Sequence, residues 1–134
     1  MKNLPFFELE HPGTGRDALV GAALSGEKTA TSSLFRESIE LPRVGDRQLM
    51  IDSTGKGVAI IVTTKIEIRN LGEVDDLIAH QEGEGFKNRE EWRVVHEKFW
   101  LGEHYDAQSS QWQMPDATEI VIEYFKIEEI LRNS

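Results

Sequence analysis

Apolar and polar positions follow two different periods along this chain. Ala18, Leu19, Ala22 and Ala23 fall at helical spacing and predict a short helix over residues 16–25, entered through the loop Pro12-Gly13-Thr14-Gly15. Gly26 suits the position just past its end, where a positive φ stops a helix. Strand character then takes over. Gln48-Leu49-Met50-Ile51-Asp52 is one apolar run, Thr54-Gly55-Lys56-Gly57 a glycine-rich turn, and residues 58–68 are dense in β-branched side chains. Together they predict an antiparallel hairpin whose second strand is buried on both faces at first and on one face later, which suits a small curved barrel.

Residues 73–80 carry Val74, Leu77 and Ile78 in a short helical pattern, and residues 89–100 a stronger one. In the latter, Trp92, Val95, His96 and Phe99 fall on one face, with Glu90, Glu91, Arg93, Glu97 and Lys98 largely off it. A polar stretch over 102–117 predicts loop, and residues 119–127 a closing strand. Helices inserted between strands indicate an α+β fold around a compact sheet or barrel, and the absence of repeats or linkers makes residues 1–134 one domain.

Composition narrows the partners. A formal net charge of −9 repels duplex DNA and long RNA, leaving Lys28, Arg36, Arg43 and Arg47 as the cations close together in sequence. A small, nearly neutral ligand is easier to accommodate. With no cysteine there is no disulfide framework and no thiolate nucleophile or metal ligand. His80, His96 and His104 lack a zinc spacing, so neither metal nor cofactor is expected. No long apolar run occurs, so no membrane partner is expected and a cytoplasmic location is.

The chemistry concentrates in two stretches. Gly26-Glu27-Lys28-Thr29-Ala30-Thr31-Ser32-Ser33 sets one lysine beside four hydroxyls. A lysine takes a hydroxyl proton only where its surroundings disfavour the ammonium; otherwise it complements a helix carboxyl end. If the stretch is extended, Thr29, Thr31 and Ser33 share one face and Lys28, Ala30 and Ser32 the other, so Lys28 and Thr31 converge only through a turn or bulge. Those hydroxyls are equally at home in a polar strand. The second stretch, Glu82-Gly83-Glu84-Gly85, is an acid site with close backbone approach or a solvated loop. Trp92, Phe99 and Trp100 are core residues of which one can present a ring for base stacking, and His96 is a hydrogen-bonded core or rim residue.

These two stretches resemble the ASCH domain, a PUA-like β-barrel family. Its signature Gly-x-Lys-x-x-Thr-x-Arg after the first helix is matched by Gly26, Lys28 and Thr31, with Ser33 in place of the arginine and Arg36 the next guanidinium along. The later acidic patch and aromatic helix match Glu82-x-Glu84 and Trp92-x-x-x-His96-x-x-Phe99-Trp100. The resemblance implies a PUA-like barrel flanked by short helices. It also implies either an amidohydrolase that deacetylates acetylcytidine, with Lys28, Thr31 and Glu84 as catalytic residues, or an RNA-binding or ribonuclease-like module. The expected ligand is a small nucleoside-like molecule or single-stranded RNA, held by Thr29, Ser32, Ser33, Arg36, Glu82, Trp92, His96 and Trp100.

Overall fold

A computed structural model describes residues 4–131; residues 1–3 and 132–134 of the expected domain lie outside the described residues. The order is β1 (Phe6–Phe7), α1 (Thr14–Ser25), β2 (Ala30–Leu34), β3 (Arg47–Ile51), β4 (Gly57–Asn70), α2 (Asp76–Gln81), α3 (Arg89–Leu101) and β5 (Glu119–Ile130). Single 3-10 turns follow β4 and α3.

The strands form one mixed sheet in the order β1-β3-β4-β5-β2. β1 runs parallel to β3, and the other pairs are antiparallel. The fold is α+β as expected, and its sheet is open, with β1 and β2 as the edges instead of pairing to close a barrel. The β3–β4 hairpin forms around the glycine turn, where Asp52 accepts hydrogen bonds from the Thr54 and Lys56 amides.

Helices cover both faces of the sheet. α1 packs Val20 and Ala23 onto Phe7, Met50, Ala59, Ile61 and Phe125. On the other face, Ile78 and Ala79 of α2 and Trp92 of α3 meet Ala30, Ile120 and Ile122. Trp92 is wholly buried, the largest such side chain in the domain.

Two helix faces are turned from the pattern expected. α1 buries Arg16, Val20 and Ala23 and leaves Ala18 exposed, because the Arg16 guanidinium donates to the Glu10 carbonyl and ion-pairs with Glu8 beneath the helix. α3 buries Arg93 and Glu97, expected outside, and half-exposes Val95 and Phe99. Here the cause is the 102–117 segment, which lies along that flank. Glu97 accepts from Arg93 and from the Gln113 and Met114 amides, while Arg93 also reaches Asp116 and the Met114 carbonyl. Fully satisfied, those charges are tolerated inside.

Candidate active site

The site forms where the end of α2 meets the entry to β2. Gly26 takes the left-handed conformation expected of it, φ 87°, and turns the chain from α1 across the carboxyl end of α2. The orphan carbonyls there find donors in this crossing segment. The Gln81 carbonyl accepts from the Thr29 amide and hydroxyl, and the Glu82 carbonyl accepts from Lys28 Nζ at 3.1 Å. Lys28 thus complements a helix carboxyl end, that of α2 and not of α1. Gly83, at φ 67°, lies so close to the backbone of Glu27 and Lys28 that a Cβ there would collide with it.

Lys28 is 1% exposed, and its ammonium lies between two carboxylates: Glu84 Oε2 at 3.0 Å and Glu82 Oε1 at 3.7 Å. Glu82 is equally buried. Its Oε2 accepts from Ser32 Oγ and Trp92 Nε1, each at 2.7 Å, and its Oε1 faces His96 Nε2 at 3.3 Å. Burial opposes ionisation of Glu82, but the His96 hydrogen bond and charge, with Lys28 and Ser32, outweigh it and hold the carboxyl below its usual range. His96 Nδ1 donates to the Trp92 carbonyl at 2.8 Å, and its ring stacks on Trp92 with centroids 4.1 Å apart.

This network forms the floor of a cleft of about 380 Å3. Thr31, Ser32, Glu82, Glu84 and His96 line the floor; Val95, Phe99 and Trp100 of α3 and Leu19 of α1 form apolar walls; Glu10 and Lys98 complete the lining. Because β2 is an edge strand, the cleft wraps its border, and Thr31 and Ser32 both reach it although successive strand side chains point to opposite faces. Lys28 and Ser32 do share one face, as alternation requires.

Of the residues singled out in the sequence, Lys28, Thr31, Ser32, Glu82, Glu84, Trp92, His96 and Trp100 come together here. Lys28 and Trp92 lie behind the cleft surface, touching it through Glu84 and Glu82. Three others do not join them. Thr29 bonds Gln81 on the exposed side, Ser33 is exposed and outside the lining, and Arg36 is exposed beyond the end of β2. No arginine lines the cleft among the described residues, so Arg36 does not replace the guanidinium missing at Ser33. Glu10 and Lys98 were missed. Lys98 lies one helical step from Val95 and was legible by spacing, whereas nothing in the sequence signals that Glu10, at φ 66°, turns toward the cleft.

One oxygen or nitrogen from each of Glu82, Glu84 and His96 lies within 4.8 Å of the others, a spacing open to a divalent cation. The single Lys28 ammonium is shared between both carboxylates and offsets one of their two negative charges.

The ASCH domain family model matches residues 6–129, and the chain belongs to that family. Solved structures agree on the fold. An ASCH domain from Lactobacillus crispatus JV V101 superposes with a TM-score of 0.80 at 24% identity, covering 93% of this chain and 79% of that one. A protein from Enterococcus faecalis V583 gives 0.76 at 24% identity, covering 100% and 86%. A point variant of an ASCH protein from Zymomonas mobilis gives 0.53 at 13% identity, covering 87% and 68%. No curated protein matches the sequence.

Proposed function

We propose that this ASCH domain is a cytoplasmic hydrolase that cleaves an amide on a small nucleoside-like substrate, with Glu84, Lys28 and Thr31 as its working residues. The observation that carries the reading is the buried Lys28 ammonium bonded to a Glu84 carboxylate that itself fronts an aromatic-walled cleft. A fixed charge pair at the floor of a largely apolar cavity is more than a surface ion pair, since little water screens it. Among the described residues no helix is long and apolar enough to cross a membrane, in keeping with this setting.

Chemically, the oxygen of a bound water attacks the substrate carbonyl carbon while Glu84 accepts the water's proton. Thr31 Oγ1, which makes no hydrogen bond among the described residues, donates to the carbonyl oxygen as it gains charge. The proton then passes from Glu84 to the leaving nitrogen as the C–N bond breaks, giving a carboxylic acid and a free amine. Lys28 works through Glu84, fixing its orientation and its charge. Glu10, Glu82 and Glu84 around the cavity disfavour a polyanion, which is why a nucleoside is preferred to long RNA.

Incubation with N-acylated nucleosides, acetylcytidine first, followed by chromatography of the released amine, tests this. Turnover by the native protein that falls at least ~100-fold in Glu84→Gln is expected, on the scale of one lost proton-transfer group. No release from any acylated nucleoside, with cleavage of single-stranded RNA, would replace this reading with the nuclease one.

A further inference from the structure

The hydrogen-bonding polarity of the cleft floor selects its ligand. Apart from the Thr31 hydroxyl, each strong donor there is already committed inside the protein. Lys28 Nζ donates to the Glu82 carbonyl and to Glu84 Oε2, and its buried ammonium lies 3.7 Å from Glu82 Oε1. Trp92 Nε1 is held by Glu82 Oε2, and the two ring nitrogens of His96 face the Trp92 carbonyl and Glu82 Oε1. An ionised Glu82 only accepts, so the contact between Ser32 Oγ and Glu82 Oε2 at 2.7 Å takes the one hydroxyl hydrogen that Ser32 owns. Ser32 therefore shows the cleft only lone pairs. Glu84 does the same through Oε1, the oxygen not bonded to Lys28. Among the described residues of the cleft three donors are free of internal bonds: the Thr31 hydroxyl beside Ser32 on the floor, and the Trp100 indole N–H and the Lys98 ammonium in the walls and rim.

We propose that Ser32 and Glu84 form an acceptor-only reading edge, making Ser32 a specificity-determining residue that selects heterocycles presenting N–H donors and rejects those presenting a keto oxygen at the same position. The inference deepens the nucleoside reading above and rests on it for the class of ligand. Its physical basis is asymmetric. A keto oxygen placed against Ser32 and Glu84 leaves acceptors facing one another with no hydrogen between them, whereas an amino group satisfies both. The aromatic wall of Phe99 and Trp100 is indifferent to that exchange, because an amino and a keto base stack alike.

Two ligand pairs isolate the effect, cytidine against uridine and adenosine against inosine, each differing at one exocyclic group and the adjacent ring nitrogen. Isothermal titration calorimetry is expected to show the amino member of each pair bound about tenfold or more tightly by the native protein. Ser32→Ala and Glu84→Gln should each shrink that ratio several-fold, and Ser32→Thr, which keeps the oriented hydroxyl, should restore it; melting curves establish that each variant is folded. Equal or tighter binding of the keto members overturns the inference, as does an unchanged ratio in folded Ser32→Ala and Glu84→Gln, or binding of none of the four nucleosides. The measurement needs no turnover. An amino preference without hydrolysis refutes the hydrolase and keeps the reading edge, while hydrolysis without an amino preference does the reverse.

Discussion

Removing the Lys28 ammonium should cost this domain much of its stability as well as any activity. In Lys28→Met the methionine fills most of the buried volume, so cavity formation is a minor part of the loss. What remains is Glu82, 1% exposed, deprived of a cation 3.7 Å away, and a Glu82 carbonyl at the end of α2 without its donor. Breaking a buried pair by deleting one partner costs ~3–5 kcal/mol, because the surviving charge stays desolvated. At about 2.1 cal/mol/K of unfolding entropy per residue, a chain of 134 residues loses roughly 11–18 °C in Tm for that change. Differential scanning calorimetry at neutral pH measures it directly. The decisive comparison is Lys28→Met with Lys28→Met/Glu82→Gln. Neutralising the stranded carboxyl keeps an oxygen for Ser32 and Trp92, so the double variant should melt above Lys28→Met although Glu82→Gln alone melts below the native protein. A Tm within ~3 °C of native for Lys28→Met, or a double variant that loses the sum of both single effects, would refute this account of the site.

Two further outcomes follow from the same structure. Burial raises the carboxyl of Glu123, with Asp46 adding to the effect and hydrogen bonds from Thr63 and Gln48 opposing it. A raised folded value means that its contribution to stability is fully present below the unfolded value near 4.5 and is lost as pH rises through the folded one. Glu123→Gln should therefore raise Tm at pH 7 and lose that advantage below about pH 4, and a gain that persists unchanged in acid would contradict it. Gly83→Ala, at φ 67° against the Glu27 and Lys28 backbone, should destabilise by at least ~2 kcal/mol in urea titrations, and near-native stability would show that this close approach is not required.

The elements with a clear period were legible in the sequence: the β3–β4 hairpin, α3, β5 and the Gly26 stop. Rotation of the helices was less so. Arg93 and Glu97 read as solvated because their partners, Met114, Gln113 and Asp116, lie in a segment with no period of its own. A short strand such as β1, two residues long, offers no pattern to detect. Within the site, alternation correctly placed Lys28 and Ser32 on one face. It could not show that β2 lies at the sheet's edge, and that position is what lets Thr31 reach the same cleft from the other face. The depth of Lys28 was hidden for a related reason: its acceptors on Glu82 and Glu84 lie more than fifty residues away in sequence.

The pairing of β2 has a bearing on how the protein is made. Among the described residues its one partner in the sheet is β5, and Ala30 meets Tyr124 roughly ninety residues later. On a ribosome, the lysine and hydroxyls emerge early and remain without a strand neighbour until nearly the whole domain has been synthesised. A nascent chain stalled before β5 holds the β3–β4 hairpin but no cleft, and its unpaired β2 edge is the sort of segment that holding chaperones occupy. The cleft is thus complete only once the strand that finishes the sheet has been made.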